Sequence, residues 1–318
     1  MKTILVPLDG SALAEQALPY IRTLAPLLGA RVRLLNVIVD DPHDNMMSEG
    51  IAASYGVIDP LATQRERENQ MRTTLVQHAE SYLDSRAAQL HGHGIEVETD
   101  VRRGPAAEVI IEVAEGLDIA IIAMATHGYS GLRRWALGSV TDRVVHATTR
   151  PVFVVRGAKP APVDPVAFKR VMVPLDGSPL AEQALPLAAD LAERARAEVL
   201  LMQAVEGSIE AYPAVAPLGR PDLMSGDVLP TLDARAGQYL DEQAALLRDR
   251  GRPAGAHVVN GHVAEAIIDE AAQRSADLLV MATHGYSGLK RWALGSVTDK
   301  VLHAATTPLL LVRANVGA

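Results

Sequence analysis

The chain has 318 residues, enough for two domains that each bury a core of their own. Its net charge of −8 argues against a nucleic-acid surface, no apolar run approaches the ~18 residues of a membrane helix, and the absence of cysteine excludes disulfides, thiol catalysis and thiolate metal sites. Aromatic residues make up only 3%, so the cores are expected to rest on Ala, Val, Leu and Ile, which favours parallel α/β packing.

In chain order, "TILVPL" (residues 3–8) reads as a buried strand ending in Asp9-Gly10-Ser11. Pro7 and Asp9 interrupt this run before the core of a signal peptide forms, so a soluble cytoplasmic protein is expected. Residues 12–29 carry apolar positions at helical spacing, and 31–39 read as a second strand. A loop-like insertion follows, then an amphipathic helix near 62–91, a third strand at 95–104 and a helix at 105–116. Residues 117–128 supply a fourth strand, "SVTDRVVHAT" (139–148) a helix and "PVFVVR" (151–156) a fifth strand. His91 and His93 at the end of the long helix read as a solvated turn rather than a metal site.

The pattern then repeats. "ILVPLDGSALAEQALP" from Ile4 returns as "VMVPLDGSPLAEQALP" from Val171, and "MATHGYSGLRRWALGSVTD" (124–142) returns almost unchanged at 281–299. The chain is thus expected to hold one domain over 1–156, a linker over 157–168 stiffened by three prolines, and a second domain over 169–318. Alternating strands and helices predict, in each half, a five-stranded parallel sheet of order 3-2-1-4-5 with helices on both faces, a Rossmann-like arrangement. The halves differ most in the insertions at 40–62 and 206–231, which follow the second strands and are expected to order over a bound ligand.

In a doubly wound sheet, ligands sit outside the C-terminal strand ends where the strand order reverses. That places Asp9 opposite the loop from Ala125, and Asp176 opposite the loop from Ala282. Gly128, Gly131 and Gly138 let backbone amides approach a ligand closely, and Ser139 with Asp142 three residues on resembles a capping box whose free N–H groups favour an anion. Thr126, Ser139 and Thr141 add hydroxyls, and Arg133 and Arg134 counter-charge. Gly285, Gly288, Gly295, Ser296, Thr298, Lys290 and Arg291 repeat these roles. Asp-Gly-Ser is also a helix cap in its own right, so both readings of Asp9 and Asp176 stand. His127 and His284 are expected to orient the loop, Trp135 and Trp292 to anchor it, and His146 and His303 to lie on helix faces.

On these residues, both halves resemble universal stress protein domains, and the whole is similar to a tandem two-domain member with the adenine nucleotide alpha hydrolase-like fold. The family's nucleotide-binding branch carries Gly, two residues, Gly, nine residues, then Gly-Ser or Gly-Thr. Here Ala125, Gly128, Gly138 and Ser139 meet that spacing, as do Ala282, Gly285, Gly295 and Ser296, with alanine for the first glycine. The resemblance implies ATP at each site, with Mg²⁺ on its phosphates. It implies that Asp9, Pro7 and Leu8 (Asp176, Pro174 and Leu175 in the second half) lie at the nucleoside. Val37 and Ile38 (Ala204 and Val205) would line the adenine pocket, and Gly128, Gly138, Ser139, Val140 and Thr141 (Gly285, Gly295, Ser296, Val297 and Thr298) would hold the phosphates. It also implies pairing through fifth-strand edges, between the halves or between two chains.

No attacking group accompanies this cradle: the G-x-x-x-x-G-K-[ST], H-E-x-x-H and G-x-S-x-G patterns are absent. The leading expectation is therefore a nucleotide-dependent stress or regulatory protein with at most slow ATP hydrolysis. A nucleotide-free dimerisation scaffold of the same fold is the alternative, and an adenylating enzyme ranks last because no acceptor pocket is legible.

Overall fold

The structure is a computed structural model and describes residues 2–39, 60–116, 118–126, 138–156, 166–206, 228–284 and 294–314. In the first half, β1 (Thr3–Pro7), α1 (Leu18–Leu28), β2 (Arg31–Ile38), α2 (Pro60–His91) and β3 (Val97–Arg103) are followed by α3 (Ala106–Gly116), β4 (Ile119–Thr126), α4 (Ser139–Ala147) and β5 (Val152–Arg156). The second half repeats the order: β6 (Arg170–Pro174), a one-turn α5 (Pro179–Glu182), α6 (Leu185–Ala195), β7 (Glu198–Val205), α7 (Val228–Arg248), β8 (Ala254–Asn260), α8 (Val263–Gln273), β9 (Leu278–Ala282), α9 (Ser296–Ala304) and β10 (Leu309–Val312). The insertions expected to order over a ligand lie almost wholly outside the described residues, as do most of the proline linker and the central part of the repeated motif.

Buried aliphatic strands need helices on both faces, and the core divides accordingly. Side chains alternate across a strand, so Ile4 and Val6 join one cluster while Leu5, between them, joins the other. The first cluster gathers Leu24 of α1, Leu83 of α2, Leu191 of α6 and Leu240 of α7; the second gathers Ile110 of α3, Val144 of α4, Ile267 of α8 and Val301 of α9. Each fully buried Leu, Ile or Val contributes about 1.5–3 kcal/mol, which is how a chain so poor in aromatics holds its layers together.

The strands do not form two separate sheets. They form one ten-stranded sheet of order β3-β2-β1-β4-β5-β10-β9-β6-β7-β8. All pairings within a half are parallel, whereas β5 and β10 pair antiparallel with Phe153 opposite Leu310. Both sides of each fifth strand are therefore taken, β5 by β4 and β10, β10 by β9 and β5. A homodimer through the fifth-strand edges, one of the two sequence expectations, has no free edge to use; the exposed edges are β3 and β8. On β3 the edge is charged: Arg31 and Arg33 of β2 reach Glu98 at 2.6 and 2.5 Å, a pattern that discourages strand addition.

Further contacts tie the halves on the face covered by α1 and α6. Phe168, at the end of the linker expected to be extended, is only 4% exposed and meets Phe153 edge-on at 6.5 Å, while Tyr20 lies 5.7 Å from Phe153 on the other side. The Thr23 hydroxyl donates to the Val166 carbonyl at 2.6 Å, and the Arg194 guanidinium to the Leu27 carbonyl at 3.2 Å. Among the described residues, no helix is long and apolar enough to cross a membrane.

Candidate functional site

The loop after the first strand of each half is built alike. Asp176 Oδ1 accepts the Ser178 N–H at 2.9 Å, and Ser178 Oγ accepts the Ala181 N–H at 3.1 Å, capping α5; Asp9, Ser11 and Ala14 repeat both bonds at 2.9 and 3.1 Å. Gly177 and Gly10, at φ of +80° and +85°, make the reversal between the two bonds. The capping reading of Asp-Gly-Ser is thus satisfied by one carboxylate oxygen. Asp9 and Asp176 stay exposed at the C-terminal ends of β1 and β6.

Across from Asp176, the chain leaves β9 at Ala282 and re-enters the described structure before α9. Gly295 makes the first contact with the strand end. Its N–H donates to the Thr283 carbonyl at 2.8 Å, and a Cβ placed on it would sit 3.4 Å from that oxygen and 3.7 Å from His284 Cα. Its φ of −60° is ordinary, so neither backbone strain nor the first side-chain carbon excludes other residues there. Gly295 is the N-cap of α9, as Gly138 is of α4, and neither cap uses a side chain. The capping box expected from Ser139 and Asp142 does not form, because the helix begins at Ser139 itself and an N1 hydroxyl cannot bond back over its own first turn. The Asp142 carboxylate instead lies 3.4 Å from His146 Nδ1, one turn toward the C-terminus, and Asp299 lies 3.5 Å from His303.

These elements enclose a cavity of about 260 Å³ in the second half, near the lower end of the roughly 300–1,000 Å³ typical of small-molecule pockets. Pro174, Leu175, Asp176, Ala204, Ala282, Gly295, Ser296, Val297 and Thr298, all expected from the sequence, line it together. Val205 is buried but not in the lining, and Gly285 lies outside the described residues. Ala181, Val263, Ile267, Met281 and His284 complete the wall. Val263 and Ile267 were legible only as an i, i+4 pair on an amphipathic helix, a pattern that marks a buried face without saying what covers it.

In the first half, Pro7 ends β1 with Leu8 and Asp9 just beyond it, Val37 and Ile38 end β2 beside Arg102 and Arg103 of β3, and Ala125 is the penultimate residue of β4. Gly138, Ser139, Val140 and Thr141 open α4. Gly128, Gly131, Arg133, Arg134, His127 and Trp135, with Gly288, Lys290, Arg291 and Trp292, fall outside the described residues.

Two side chains act differently from expectation. Thr298, 4% exposed, donates its hydroxyl to the Ala282 carbonyl at 3.1 Å and so ties α9 to β9 rather than facing a ligand. His284, 5% exposed, has Nδ1 3.1 Å from Thr283 Oγ1, while its Nε2 is buried without a hydrogen-bond partner among the described residues. Thr283 Oγ1 also accepts the Ala314 N–H at 3.2 Å, so Thr283 links His284 to the chain just past β10. The alanines that replace the first motif glycine carry no strain: Ala125 and Ala282 are strand residues, and the described non-glycine residues with positive φ are Arg196 and Ser275.

The remaining features near the site are structural. Tyr82 and Tyr239, on α2 and α7, each donate to a glutamate just past the Asp-Gly-Ser loop, Glu15 and Glu182, at 3.0 Å. Burial, with the neighbouring carboxylates, pushes both phenols above their usual range, so they stay neutral donors. A larger cavity of about 470 Å³ lies elsewhere in the second half, lined by Arg170, Glu198, Leu200, His257, Glu270, Gln273 and Arg274. Its charges are mutually paired, Glu198 with Arg170 at 3.3 Å and buried Glu270 with His257 at 3.2 Å and with Arg274, and no helix N-terminus enters it. The smaller cavity is the candidate site, because of these two it is the one where the Asp176 loop and a helix start meet.

A family model described as the universal stress protein family matches residues 1–156 and 167–313. A universal stress protein of Mycolicibacterium smegmatis is 26% identical over 313 residues, covering 98% of this chain and 96% of the relative. One of Methanocaldococcus jannaschii is 31% identical over 155 residues, 49% of this chain and 94% of the relative. The crystal structure of a universal stress protein from Archaeoglobus fulgidus covers 98% of each chain with a TM-score of 0.69 at 19% identity, a likeness of fold.

Proposed function

Because the chain belongs to the universal stress protein family, with two tandem copies of its domain, we propose that it binds an adenine nucleotide, ATP, in each half and acts as a nucleotide-dependent regulatory protein. The observation that carries this reading is the cavity itself, where the start of α9 and the Asp176 loop meet across a floor of small residues, Ala204, Ala282 and Gly295. A helix start offers N–H groups without partners and the positive end of the helix dipole, which suits phosphate. In this reading Gly295, Ser296, Val297 and Thr298 hold the phosphates through the backbone, as do Gly138, Ser139, Val140 and Thr141 in the first half. Asp176 and Asp9 accept from the ribose. The ends of β7 and β2, at Ala204 and Val37, flank the base, and in the second half the apolar Val263 and Ile267 add to that wall. Mg²⁺ would ride on the phosphates, where the protein need supply no dedicated cage.

The side chains that line the cavity are aliphatic, apart from Asp176, Ser296, Thr298 and His284. Thr298 is committed to Ala282 and one oxygen of Asp176 to its turn, so the lining holds a ligand more readily than it activates water. Hydrolysis is accordingly expected to be slow.

Thermal unfolding tests the reading. A ligand that binds only the native state adds about 2.7 kcal/mol of stability at one hundred times its Kd. ATP is expected to raise Tm in a concentration-dependent way and inorganic tripolyphosphate to raise it less, since tripolyphosphate forgoes the base and ribose contacts. An unchanged Tm with millimolar ATP would favour the scaffold reading.

A further inference from the structure

The helices that open at the two candidate sites, α4 and α9, are nine residues long, about 13 Å at the usual rise per residue. The last carbonyls of such a helix have no partner within it. Here they find partners from the other half. Arg313, directly after β10, donates from Nη1 to the His146 carbonyl in the last turn of α4 at 3.5 Å. Arg156, at the end of β5, donates from Nη1 to the Ala305 carbonyl at the C-cap of α9 at 3.4 Å. The two arginines occupy equivalent places in the repeat, and the antiparallel pairing of β5 with β10 is what carries each across to its partner's helix. Burial pulls the Arg313 guanidinium below its usual range, as expected of a cation drawn partly out of water.

Arg313 is also held from the cavity of its own half. The Thr283 N–H donates to the Val312 carbonyl at 2.9 Å and Thr283 Oγ1 accepts the Ala314 N–H at 3.2 Å, so Thr283 fixes the backbone on both sides of Arg313. The same Thr283 oxygen lies 3.1 Å from Nδ1 of His284 in the cavity wall.

We propose that the two sites are built crosswise: Arg313 of the second half positions the phosphate-facing helix of the first, and Arg156 of the first half positions that of the second. The proposal rests on the nucleotide reading above. A cation at a helix C-terminus favours the dipole orientation that presents a positive N-terminus to phosphate, and the hydrogen bond fixes the rod whose other end must meet the ligand. Neither half is then a self-sufficient binding unit, although each carries its own copy of the repeated motif. Both arginines are positioning residues that act through the helix and touch no ligand.

The test is isothermal titration of the full chain with Mg-ATP, using Gly295→Val to leave only the first-half site and Gly138→Val to leave only the second. With the first-half site alone, Arg313→Gln is expected to weaken ATP roughly two- to fivefold, about the net worth of the one hydrogen bond that holds α4 in place. Arg156→Gln should leave it unchanged. With the second-half site alone the two arginines should exchange roles, and Arg313→Lys and Arg156→Lys should each recover most of the loss. A merely structural role would weaken both sites together, so equal effects on the two, or no effect in either background, would overturn the crosswise arrangement. Should Arg313→Gln fail to fold, Arg313→Met and Arg156→Met, which keep the apolar stem and remove the cation, read the same crossed pattern. Absence of ATP binding in the unsubstituted chain would instead overturn the nucleotide reading, a result distinct from ATP binding with no crossed dependence.

Discussion

Gly295→Val is expected to remove one bound nucleotide per chain while leaving the fold in place. At φ of −60° and ψ of 144° a valine backbone is comfortable there, and the first added carbon meets the Thr283 carbonyl at 3.4 Å, a tight but tolerable contact. The two further methyls have no such room and must enter the cavity of about 260 Å³, where the start of α9 faces Asp176. Overpacking of this kind costs on the order of 1–3 kcal/mol, so binding at this site should fall by roughly ten- to a hundredfold. Stability without ligand should change by less than about 1 kcal/mol, because Gly295 lies at the cavity rim rather than in either core cluster. Gly138→Val should do the same in the first half, and the double substitution should abolish retention. Native mass spectrometry with added Mg-ATP counts the nucleotides directly; undiminished occupancy in the double variant would mean that ATP binds somewhere other than at these helix starts.

Phe153→Ala is expected to cost about 3–5 kcal/mol, the range for removing a buried phenylalanine, and therefore a large part of a typical stability of roughly 5–15 kcal/mol. Phe153 is 0% exposed, stands on β5 opposite Leu310 of β10, and packs between Tyr20 and Phe168. One truncation thus empties the seam where the halves share their sheet. Urea unfolding followed by far-UV circular dichroism should show the midpoint fall with the loss. A cost under about 1 kcal/mol would mean that the halves are held together elsewhere.

These two positions also show how far the sequence alone reaches. Gly295 was legible because its place is local: the spacing of the repeated motif puts it at a helix start, and the structure has it as the N-cap of α9 at the cavity rim. The helices and strands were legible for the same reason, since aliphatic runs and 3.6-residue periodicity are properties of neighbouring residues. The pairing of the halves through their fifth strands was expected from the resemblance as one of two possibilities; the place of Phe153 in that seam was not legible, because "PVFVVR" reads as a fifth strand whichever neighbour it has. Phe168, assigned to an extended linker by the prolines before it, is a core residue for a partner fifteen residues back along the chain.

Side-chain roles within the motif were harder to read than its backbone. Ser139 and Asp142 match a capping pattern, yet the chain enters α4 one residue earlier, at Gly138. Thr298 looks like a phosphate hydroxyl and instead ties α9 to Ala282. His284 was expected only to orient the loop; it does meet Thr283, but it also stands in the cavity wall with Nε2 unpartnered among the described residues. Such choices depend on which acceptor lies nearest in space, and no spacing along the chain encodes that.

The central claim is that each half holds an adenine nucleotide. Native mass spectrometry of the unsubstituted chain, as purified and then with ~1 mM Mg-ATP, tests it most directly, because at that concentration an affinity of only about −4 kcal/mol still gives visible occupancy. Two mass increments of one nucleotide each per chain are the predicted result. A chain that stays at its bare mass throughout would contradict the claim and leave the shared sheet, rather than the cavity, as the part of this protein that works.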